Sequence, residues 1–257
     1  MSDAAHTLAS RTGDERSAAV SGTFNLRDLG GLRTTDGRTV VTGRLFRSGS
    51  LAGLDTQGRG QLDALGVRSV IDLRSDAERL AAPDALVGSA VRATAIPMLA
   101  GAASTMTTVP TLSELYRHLL DDEPAAVAEA VRRVARDEPG VLVHCSAGKD
   151  RTGVVIALVL LAVGVDPDDV LDDYQATERF LPDTFGATAS AMVRAAHEQG
   201  MDVDDDAVQQ IATRSPRTAM QASIAHLTER WGSATGALRA AGLSDDDLTA
   251  LRDRLLD

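Results

Sequence analysis

Cysteine is almost absent from this sequence, because Cys145 is the only one among 257 residues. A lone cysteine excludes an intrachain disulfide, and oxidation of its thiol could be reversed only by an external thiol. No spacing typical of a metal site relates the five histidines, which are His6, His118, His144, His197 and His226. We therefore expect a protein that uses neither a metal ion nor another cofactor.

Long apolar runs and an excess of basic residues are also missing. No segment reaches the about 20 apolar residues that a membrane-spanning helix needs. Residues 1–20 contain no secretory signal and are expected to form a flexible leader. The formal net charge of −11 at pH 7 argues against an extended nucleic-acid surface. We expect no nucleic-acid partner and no stable membrane insertion, with the protein in the cytoplasm or secreted by a route without a classical signal peptide.

Strand-like and helix-like segments alternate before the final, mainly helical part. With 44% hydrophobic residues and no linker, residues 21–257 are expected to form a single catalytic domain. The predicted class is α/β, with a small, mostly parallel central sheet flanked by helices and a helix-rich C-terminal half. Strands are predicted as two short stretches within 39–46 and at 68–73, 91–96 and 141–143, with a loop at 101–110. Helices are predicted at 55–65, after the capping pair Ser75 and Glu78, at 111–120, from 124, at 151–163, 166–178, 182–199, 204–213, 216–230 and 244–256.

The most informative segment present is HCSAGKDRTG at 144–153. It lies between an apolar run that predicts a buried strand and a second that predicts a helix. The first amides of such a helix lack intrahelical partners and carry partial positive charge, so the loop before them can bind an anion. Together with Lys149 and Arg151, this field favours the thiolate form of Cys145. The predicted phosphate-binding residues are Ser146, Ala147, Gly148, Lys149, Asp150 and Arg151.

These residue types indicate a cysteine-dependent reaction on a phosphate monoester. The Cys145 thiolate would attack the phosphorus and form a phosphocysteine intermediate, while Arg151 presents a bidentate fork to the phosphoryl oxygens. The leaving oxygen needs a proton, for which Asp150 is the most economical donor. Asp72, which ends a predicted strand, is the rival general acid.

Three further residues have supporting roles. A hydrogen bond from the ring of His144 would hold the loop. Thr152 is expected to cap the helix, and the alternative is that it assists departure of the thiolate. Lys149 either accepts a second phosphate group or only raises the local positive potential.

Other readings of the loop fit less well. Gly148 and Lys149 are similar to the end of a nucleotide-binding P-loop, but Asp150 stands where Ser or Thr should bind magnesium. Rhodanese-like and arsenate-reducing proteins also cradle an oxyanion, but arsenate reduction normally needs further thiols. A phosphoprotein-binding module without activity would be expected to lose the nucleophile or the arginine, and both are present.

Residues 144–153 resemble the Cys-X5-Arg signature of the protein tyrosine phosphatase superfamily, and in particular its bacterial branch typified by the mycobacterial enzymes. Further segments fit that branch, namely FNLRD at 24–28, GRLFRS at 43–48, VIDLR at 70–74 and DDY at 172–174. The resemblance covers about residues 20–257. It implies a phosphocysteine mechanism without metal, with Cys145 as nucleophile, Arg151 as phosphate ligand and Asp150 as acid. The Trp-Pro-Asp segment of the animal enzymes is missing.

The resemblance also bears on substrate and access. It implies a phosphorylated protein as substrate, phosphotyrosine first. A phosphoinositide or dual-specificity phosphatase is the alternative, because the lysine at 149 is also found in the 3-phosphoinositide phosphatase that resembles tensin. It further implies that about 176–215 forms a helical lid over the loop. The competing interpretation is ordinary core packing of the apolar residues there, which are Phe180, Leu181, Phe185 and Met192. No oligomeric state is predicted.

Overall fold

The computed structural model describes residues 16–98, 110–138 and 140–257. Residues 1–15 of the predicted leader and nearly all of the predicted loop at 101–110 lie outside the described residues. Residues 16–20 pack on the domain, because Arg16 forms a buried ion pair with Asp173 and Ser17 forms an isolated bridge with Arg27. The folded part therefore begins before residue 21.

Five strands of the described chain form one mostly parallel sheet, as predicted. They are β1 (Arg27–Asp28), β2 (Leu45–Ser48), β3 (Ser69–Asp72), β4 (Arg92–Ala95) and β5 (Val141–His144). Their order across the sheet is β1-β2-β5-β3-β4. Only the β1–β2 pair is antiparallel, and the other three pairs are parallel. The central strand is therefore β5, which leads directly into Cys145.

Eleven helices are described, and the C-terminal half is almost wholly helical. They are α1 (Thr56–Ala64), α2 (Asp76–Ala81), α3 (Leu112–Asp121), α4 (Pro124–Arg136), α5 (Asp150–Val163), α6 (Pro167–Phe180), α7 (Thr184–Glu198), α8 (Asp205–Thr213), α9 (Arg217–Trp231), α10 (Ala234–Ala240) and α11 (Asp245–Leu255). Among these described helices, none is long and apolar enough to cross a membrane.

Alternating side chains of the strands belong to two separate apolar clusters, one on each face of the sheet. In β5, Val141 and Val143 pack with α3 to α6 and with α9 to α11, whereas Leu142 packs with Leu62 of α1 on the other face. Successive side chains of a strand point to opposite faces, so a continuous apolar run marks a strand covered on both sides. This arrangement is the predicted central sheet flanked by helices.

The structure differs from the predicted secondary structure at three places. The stretch before Gly43 was expected to be a strand, but there Thr39 and Val40 form only isolated bridges, to Arg33 and Leu256. The two-residue strand β1 was not predicted, and neither was the helix α10. Its seven residues begin after a Ser233 cap that bonds the amide of Gly236, and their short length leaves little periodic signal.

Candidate active site

The candidate site lies at the carboxyl edge of the sheet, where the central strands end. Ser48 at the end of β2 and Asp72 at the end of β3 are both in register with His144 at the end of β5. Cys145 follows immediately, and 146–149 connects it to α5. Ligand sites in α/β folds occur at the carboxyl ends of parallel strands, so the predicted nucleophile stands where such a site is expected.

Gly148 allows the loop to turn against the end of β2. Its φ of +67° lies in the left-handed region. A Cβ at this position would lie 2.1 Å from the carbonyl oxygen of Ser48, so a side chain would force the backbone to move. The amide of Ser50 also donates to the carbonyl oxygen of Ser146 at 3.0 Å. The loop is therefore fixed against a neighbouring strand by backbone contacts.

Two side chains hold the carbonyl groups of the loop from beneath. The Nδ2 atom of Asn25 donates to the carbonyl oxygens of Ala147 and Gly148 at 3.0 and 3.1 Å, and Arg47 donates to Gly148 at 2.6 Å. Across a trans peptide the C=O of one residue and the N–H of the next point in opposite directions. The amides of Gly148 and Lys149 are therefore turned away from these donors, as a cradle for an anion requires.

Helix α5 begins at Asp150 without a side-chain cap. Lys149 occupies the N-cap position and makes no capping hydrogen bond. Thr152 lies within the first turn, and its buried hydroxyl has no hydrogen-bond partner among the described residues. The prediction that Thr152 caps the helix is wrong, because the helix starts before it. The uncapped amides leave partial positive charge at the loop that carries the buried Cys145.

Arg151 is held by a carboxylate that sequence analysis assigned only to a helix cap. Both oxygens of Glu78 accept from its terminal nitrogens Nη1 and Nη2, at 2.6 and 2.7 Å. The Ser146 hydroxyl donates to the same carboxylate at 2.6 Å, and Glu78 also closes the capping box of α2 with Ser75. The hydrogen bonds from Arg151, with those from Ser146, hold the pKa of Glu78 far below its usual value.

The contact with Glu78 leaves the Nε–Nη2 edge of the Arg151 guanidinium accessible to a ligand. Among the described residues, Nη1 and Nη2 meet Glu78 and Leu73, and no partner is bonded to Nε. A guanidinium can bind one anion at its Nη1–Nη2 end and a second through Nε and Nη2. Glu78 therefore positions the fork without filling the edge that a phosphoryl group would use.

A buried cluster of arginines lies beneath the loop. The Asp173 carboxylate accepts from Arg27 at 2.9 Å and from Arg47 at 2.7 Å, and Arg16 lies 3.3 Å away. Burial alone would raise the pKa of Asp173, but these arginines hold it well below its usual value. Burial lowers the pKa of Arg27 to about 10, which leaves it charged at neutral pH. Three cations therefore share one anion, and this acidic protein has a local positive centre under the loop.

His144 connects the loop to a second buried ion network. Its Nε2 lies 3.1 Å from Asp84, and its Nδ1 lies 3.2 Å from the carbonyl oxygen of Cys145. Arg74 donates to both Asp72 and Asp84, at 2.8 and 2.7 Å. Burial opposes the charged form of Asp84, yet His144 and Arg74 hold its pKa below the usual value. Asp72, the rival acid, is thus buried in an ion pair.

The same network offers the one group of possible metal ligands among the described residues. Ligand atoms of Asp72, Asp84 and His144 all lie within 4.8 Å of one another. The guanidinium of Arg74 is already bonded to both carboxylates, and its positive charge opposes a cation there. The geometry fits a structural ion network better than a metal site.

Asp150 sits at the mouth of the loop with its side chain partly exposed. Its Oδ1 accepts from the hydroxyl of Tyr116 at 2.8 Å and lies 3.4 Å from Nζ of Lys149. Lys149 itself is buried and does not extend to solvent. Its Nζ donates to the carbonyl oxygens of Ile211, at the end of α8, and Arg214, the latter at 2.9 Å. Neither contact was predicted from sequence, since both depend on distant segments.

Helices α7 and α8 form a hairpin that returns to α6 beside Lys149. Ser215 exchanges hydrogen bonds with Glu178, at 3.0 and 3.2 Å, and donates to the carbonyl oxygen of Gln175. At the other end, the ring of Phe185 meets Phe24 edge to face, with centroids 5.6 Å apart. Met192 of α7 is exposed rather than packed in the core. The hairpin is therefore attached at both ends next to the candidate site.

The structure brings the predicted site residues together and adds others. Cys145, Arg151, Asp150 and Lys149 share one loop and helix start, and His144 supports it from the strand. The residues that sequence analysis gave no role at the site are Asn25, Arg27, Arg47, Glu78, Tyr116 and Asp173. Four of these lie in the quoted segments 24–28, 43–48 and 172–174, so those segments were the available signal. For Glu78 the only signal was its cap spacing from Ser75.

A family model described as the tyrosine phosphatase family matches residues 18–257. A relative from Cupriavidus necator whose name includes tyrosine-protein phosphatase is 37% identical over 161 residues, which are 58% of this chain and 59% of the relative. A tyrosine-protein phosphatase of Nostoc commune is 30% identical over 217 residues, covering 81% of this chain and 73% of its own length.

A third relative spans nearly the whole chain. It is the triple specificity protein phosphatase PtpB of Mycobacterium tuberculosis, 28% identical over 279 aligned positions that cover 92% of this chain and 98% of the relative. The match to the Cupriavidus protein, in contrast, spans little more than half of that relative's length.

Proposed function

The chain belongs to the tyrosine phosphatase family, and from that premise we propose that it hydrolyses phosphate monoesters through a phosphocysteine on Cys145, with protein phosphotyrosine as the main substrate. The observation that carries the proposal is the loop itself. A buried thiol, an uncapped helix start and an arginine fork with one free edge converge on one point. That combination suits an attacking thiolate and a phosphoryl group together.

The proposed reaction has two steps, which are formation and hydrolysis of the phosphocysteine. First, the Cys145 sulfur bonds to phosphorus, the bond from phosphorus to the ester oxygen breaks, and Asp150 gives a proton to the leaving oxygen. Second, the Asp150 carboxylate takes a proton from water, whose oxygen attacks phosphorus as the sulfur–phosphorus bond breaks. The thiolate is regenerated and inorganic phosphate leaves. Arg151 and the loop amides bind the phosphoryl oxygens in both steps.

The contacts of the two candidate acids support Asp150 over Asp72. Asp72 is buried and accepts three hydrogen bonds from the guanidinium of Arg74, so protonating it would break a buried ion pair. Asp150 is the first residue of α5 and is partly exposed, and its contacts among the described residues are with the Tyr116 hydroxyl and the Lys149 ammonium. A general acid must bind and release a proton in each turnover, and the partly exposed surroundings of Asp150 allow this without breaking a buried ion pair.

Broader specificity is the second candidate function. The Mycobacterium relative is named a triple specificity phosphatase, and a phosphoinositide is a further possible ester. A second phosphate group would need a free cation, but the Lys149 ammonium is bonded to Ile211 and Arg214. A second phosphate group could therefore bind Lys149 only while those contacts are open, whereas binding of a single phosphoryl group needs no cation from Lys149.

We further propose that 176–215 acts as a lid over the loop. The α7–α8 hairpin is attached beside the site through Ser215, Lys149 and Phe185, as described above. Opening it would admit substrate, and closing it would shield the thiolate from water. The alternative is fixed core packing, in which the hairpin does not open.

An assay with aryl phosphate, phosphotyrosine peptide and phosphoinositide tests the activity, with a chelator present throughout. We expect turnover of the first two. Cys145→Ser should abolish turnover and keep binding of the phosphate ester, whereas Arg151→Ala should lose both. Retained hydrolysis in either variant would contradict the mechanism.

A further inference from the structure

Two buried hydroxyl groups lie behind Asp150 and have no part in the mechanism above. They belong to Tyr116 on α3 and Tyr174 on α6, the only two tyrosines in the sequence. Their rings meet edge to face with centroids 5.9 Å apart, and their hydroxyl oxygens lie 2.5 Å apart. Tyr116 then donates to Oδ1 of Asp150 at 2.8 Å. The two buried hydroxyls and the carboxylate of the candidate acid therefore form one hydrogen-bond chain.

The direction of this hydrogen-bond chain follows from counting protons. A phenol has one proton, and an ionised carboxylate has none to give. Because Tyr116 donates its proton to Asp150, the contact between the two hydroxyls must be made by the proton of Tyr174. Burial, followed by the charge of Asp150, raises the pKa of both tyrosines. Both hydroxyls therefore stay protonated at neutral pH and act as donors.

The two oxygens of Asp150 have different surroundings. Oδ1 meets the hydroxyl of Tyr116 and, at 3.4 Å, the ammonium of Lys149, and both are donors. Within the described part of the chain, Oδ2 has no hydrogen-bond partner. A proton on Oδ1 would face two other protons, whereas a proton on Oδ2 would leave both contacts intact. The transferred proton therefore belongs on Oδ2.

We propose that Tyr116 is a positioning residue for the general acid, which holds Oδ1 of Asp150 so that Oδ2 presents the proton to the leaving oxygen. Tyr174 orients the Tyr116 hydroxyl and does not touch Asp150. This inference rests on the proposed function, because Asp150 acts as a general acid only if the protein hydrolyses phosphate esters. Without the Tyr116 contact the carboxyl group can rotate, and its proton is less often aimed at the ester oxygen.

The test compares two esters in Tyr116→Phe, which keeps the ring and removes the hydroxyl. Phenyl phosphate has a basic leaving oxygen that needs the acid, whereas 4-nitrophenyl phosphate has a weakly basic one that needs it little. General acid catalysis contributes about 100-fold or more, so we expect a partial loss of about tenfold in kcat/KM for phenyl phosphate. The loss for 4-nitrophenyl phosphate should stay below about threefold.

The pH profile gives a second readout that a purely structural role would not move. The groups facing Asp150 and its tyrosine pair are Cys145 and Lys149 beside the helix start, Arg151 of α5, Arg47 of β2 and Glu178 of α6. All of them remain in Tyr116→Phe. The missing hydroxyl takes a hydrogen-bond donor away from Oδ1 of Asp150. The descending limb of kcat/KM should move to higher pH.

Two controls separate positioning from packing. Tyr174→Phe removes an equally buried hydroxyl that does not touch Asp150, and its loss should be clearly smaller. In an Asp150→Ala background, Tyr116→Phe should cause no further loss, because the residue acts through that carboxylate. If Tyr116→Phe does not fold, 3-fluorotyrosine in place of Tyr116 keeps the fold and donates more strongly. The descending limb should then move to lower pH.

Equal losses for both esters, an undiminished effect in Asp150→Ala, or an unmoved descending limb in the folded variants would overturn the inference. Failure of the proposed function looks different. In that case the wild-type protein hydrolyses neither ester, and Cys145→Ser changes nothing.

Discussion

The carboxylate of Glu78 forms a bidentate ion pair with the guanidinium of Arg151, with its two oxygens 2.6 and 2.7 Å from the two terminal nitrogens. The contact joins the cap of α2 to the phosphate-binding loop, because Glu78 also closes the α2 capping box and accepts from Ser146. The orientation of the arginine fork is therefore set before any ligand binds.

Glu78→Gln should weaken phosphate binding more than folding. The variant loses a charged partner of Arg151, and hydrogen bonds to charged groups contribute about 1.5–3 kcal/mol, so vanadate affinity should fall about tenfold or more. Glu114→Gln is the matched control, because Glu114 closes the α3 capping box with Thr111 in the same way but has no contact with the site. Equal vanadate affinity in both variants would contradict a positioning role.

Gly148→Ala should lose activity while Gly43→Ala keeps it. Both glycines have positive φ, so each substitution carries the left-handed penalty of about 1–2 kcal/mol. Only at Gly148 would the new Cβ meet backbone, 2.1 Å from the oxygen of Ser48, whereas nothing lies within 4 Å at Gly43. Measured kcat/KM and unfolding free energy should separate the two. Full activity in Gly148→Ala would show that the loop tolerates a side chain.

Asp173→Asn should destabilise the fold strongly, by about 3–5 kcal/mol, because it leaves buried arginines without their anion. The neighbouring Asp172→Asn is the control. Asp172 is exposed and pairs with Arg217 at the surface, so its loss should cost at most about 1 kcal/mol. Urea unfolding at neutral pH measures both. Similar costs would mean that the buried cluster contributes little.

The same cluster predicts how stability depends on pH. The folded-state pKa of Asp173 lies well below its unfolded value of about 3.9. Its contribution is therefore fully present above that unfolded value and is lost as pH falls through the acid range toward the folded pKa. The wild-type unfolding free energy should drop below about pH 4 more steeply than that of Asp173→Asn. Parallel curves would remove Asp173 as the cause.

Ser215→Ala should loosen the α7–α8 hairpin. The substitution removes the hydroxyl that links the end of the hairpin to α6. Lys149 is the only lysine in the sequence, and it is buried beneath the same segment. Its rate of acylation by an amine-reactive reagent, read by mass spectrometry, therefore reports opening. Ser215→Ala should raise that rate, and Ser223→Ala, another buried serine, should not. Equal rates would favour fixed packing of the hairpin.

Much of the fold could be predicted because its signals are local. The apolar run at 141–143 marks a strand covered on both faces, and the pairing of Ser75 with Glu78 is a capping box that the structure contains. The anion-binding character of the loop could be predicted for the same reason, since the cysteine, the arginine and the glycine lie within ten residues of one another. The strand expected before Gly43 is wrong because Thr39 and Val40 form single bridges to two different segments, at Arg33 and at Leu256, and these bridges do not make a continuous ladder.

The supporting residues could not be placed from sequence because each acts across a long chain separation. Arg47 and Asp173 meet beneath a loop that neither adjoins, and Tyr116 reaches Asp150 from another helix. Lys149 shows the same limit. Its charge was evident, but its burial against α8 depends on how the hairpin returns to the site.

The central claim is that Cys145 carries a phosphoryl group during turnover. The direct measurement is rapid acid quenching of the protein with a phosphotyrosine peptide, followed by mass spectrometry of the peptide containing Cys145. We predict one added phosphoryl group on Cys145 that disappears as inorganic phosphate is released, and none in Cys145→Ser. Hydrolysis at full rate with no phosphoryl group on Cys145 at any time would contradict the account.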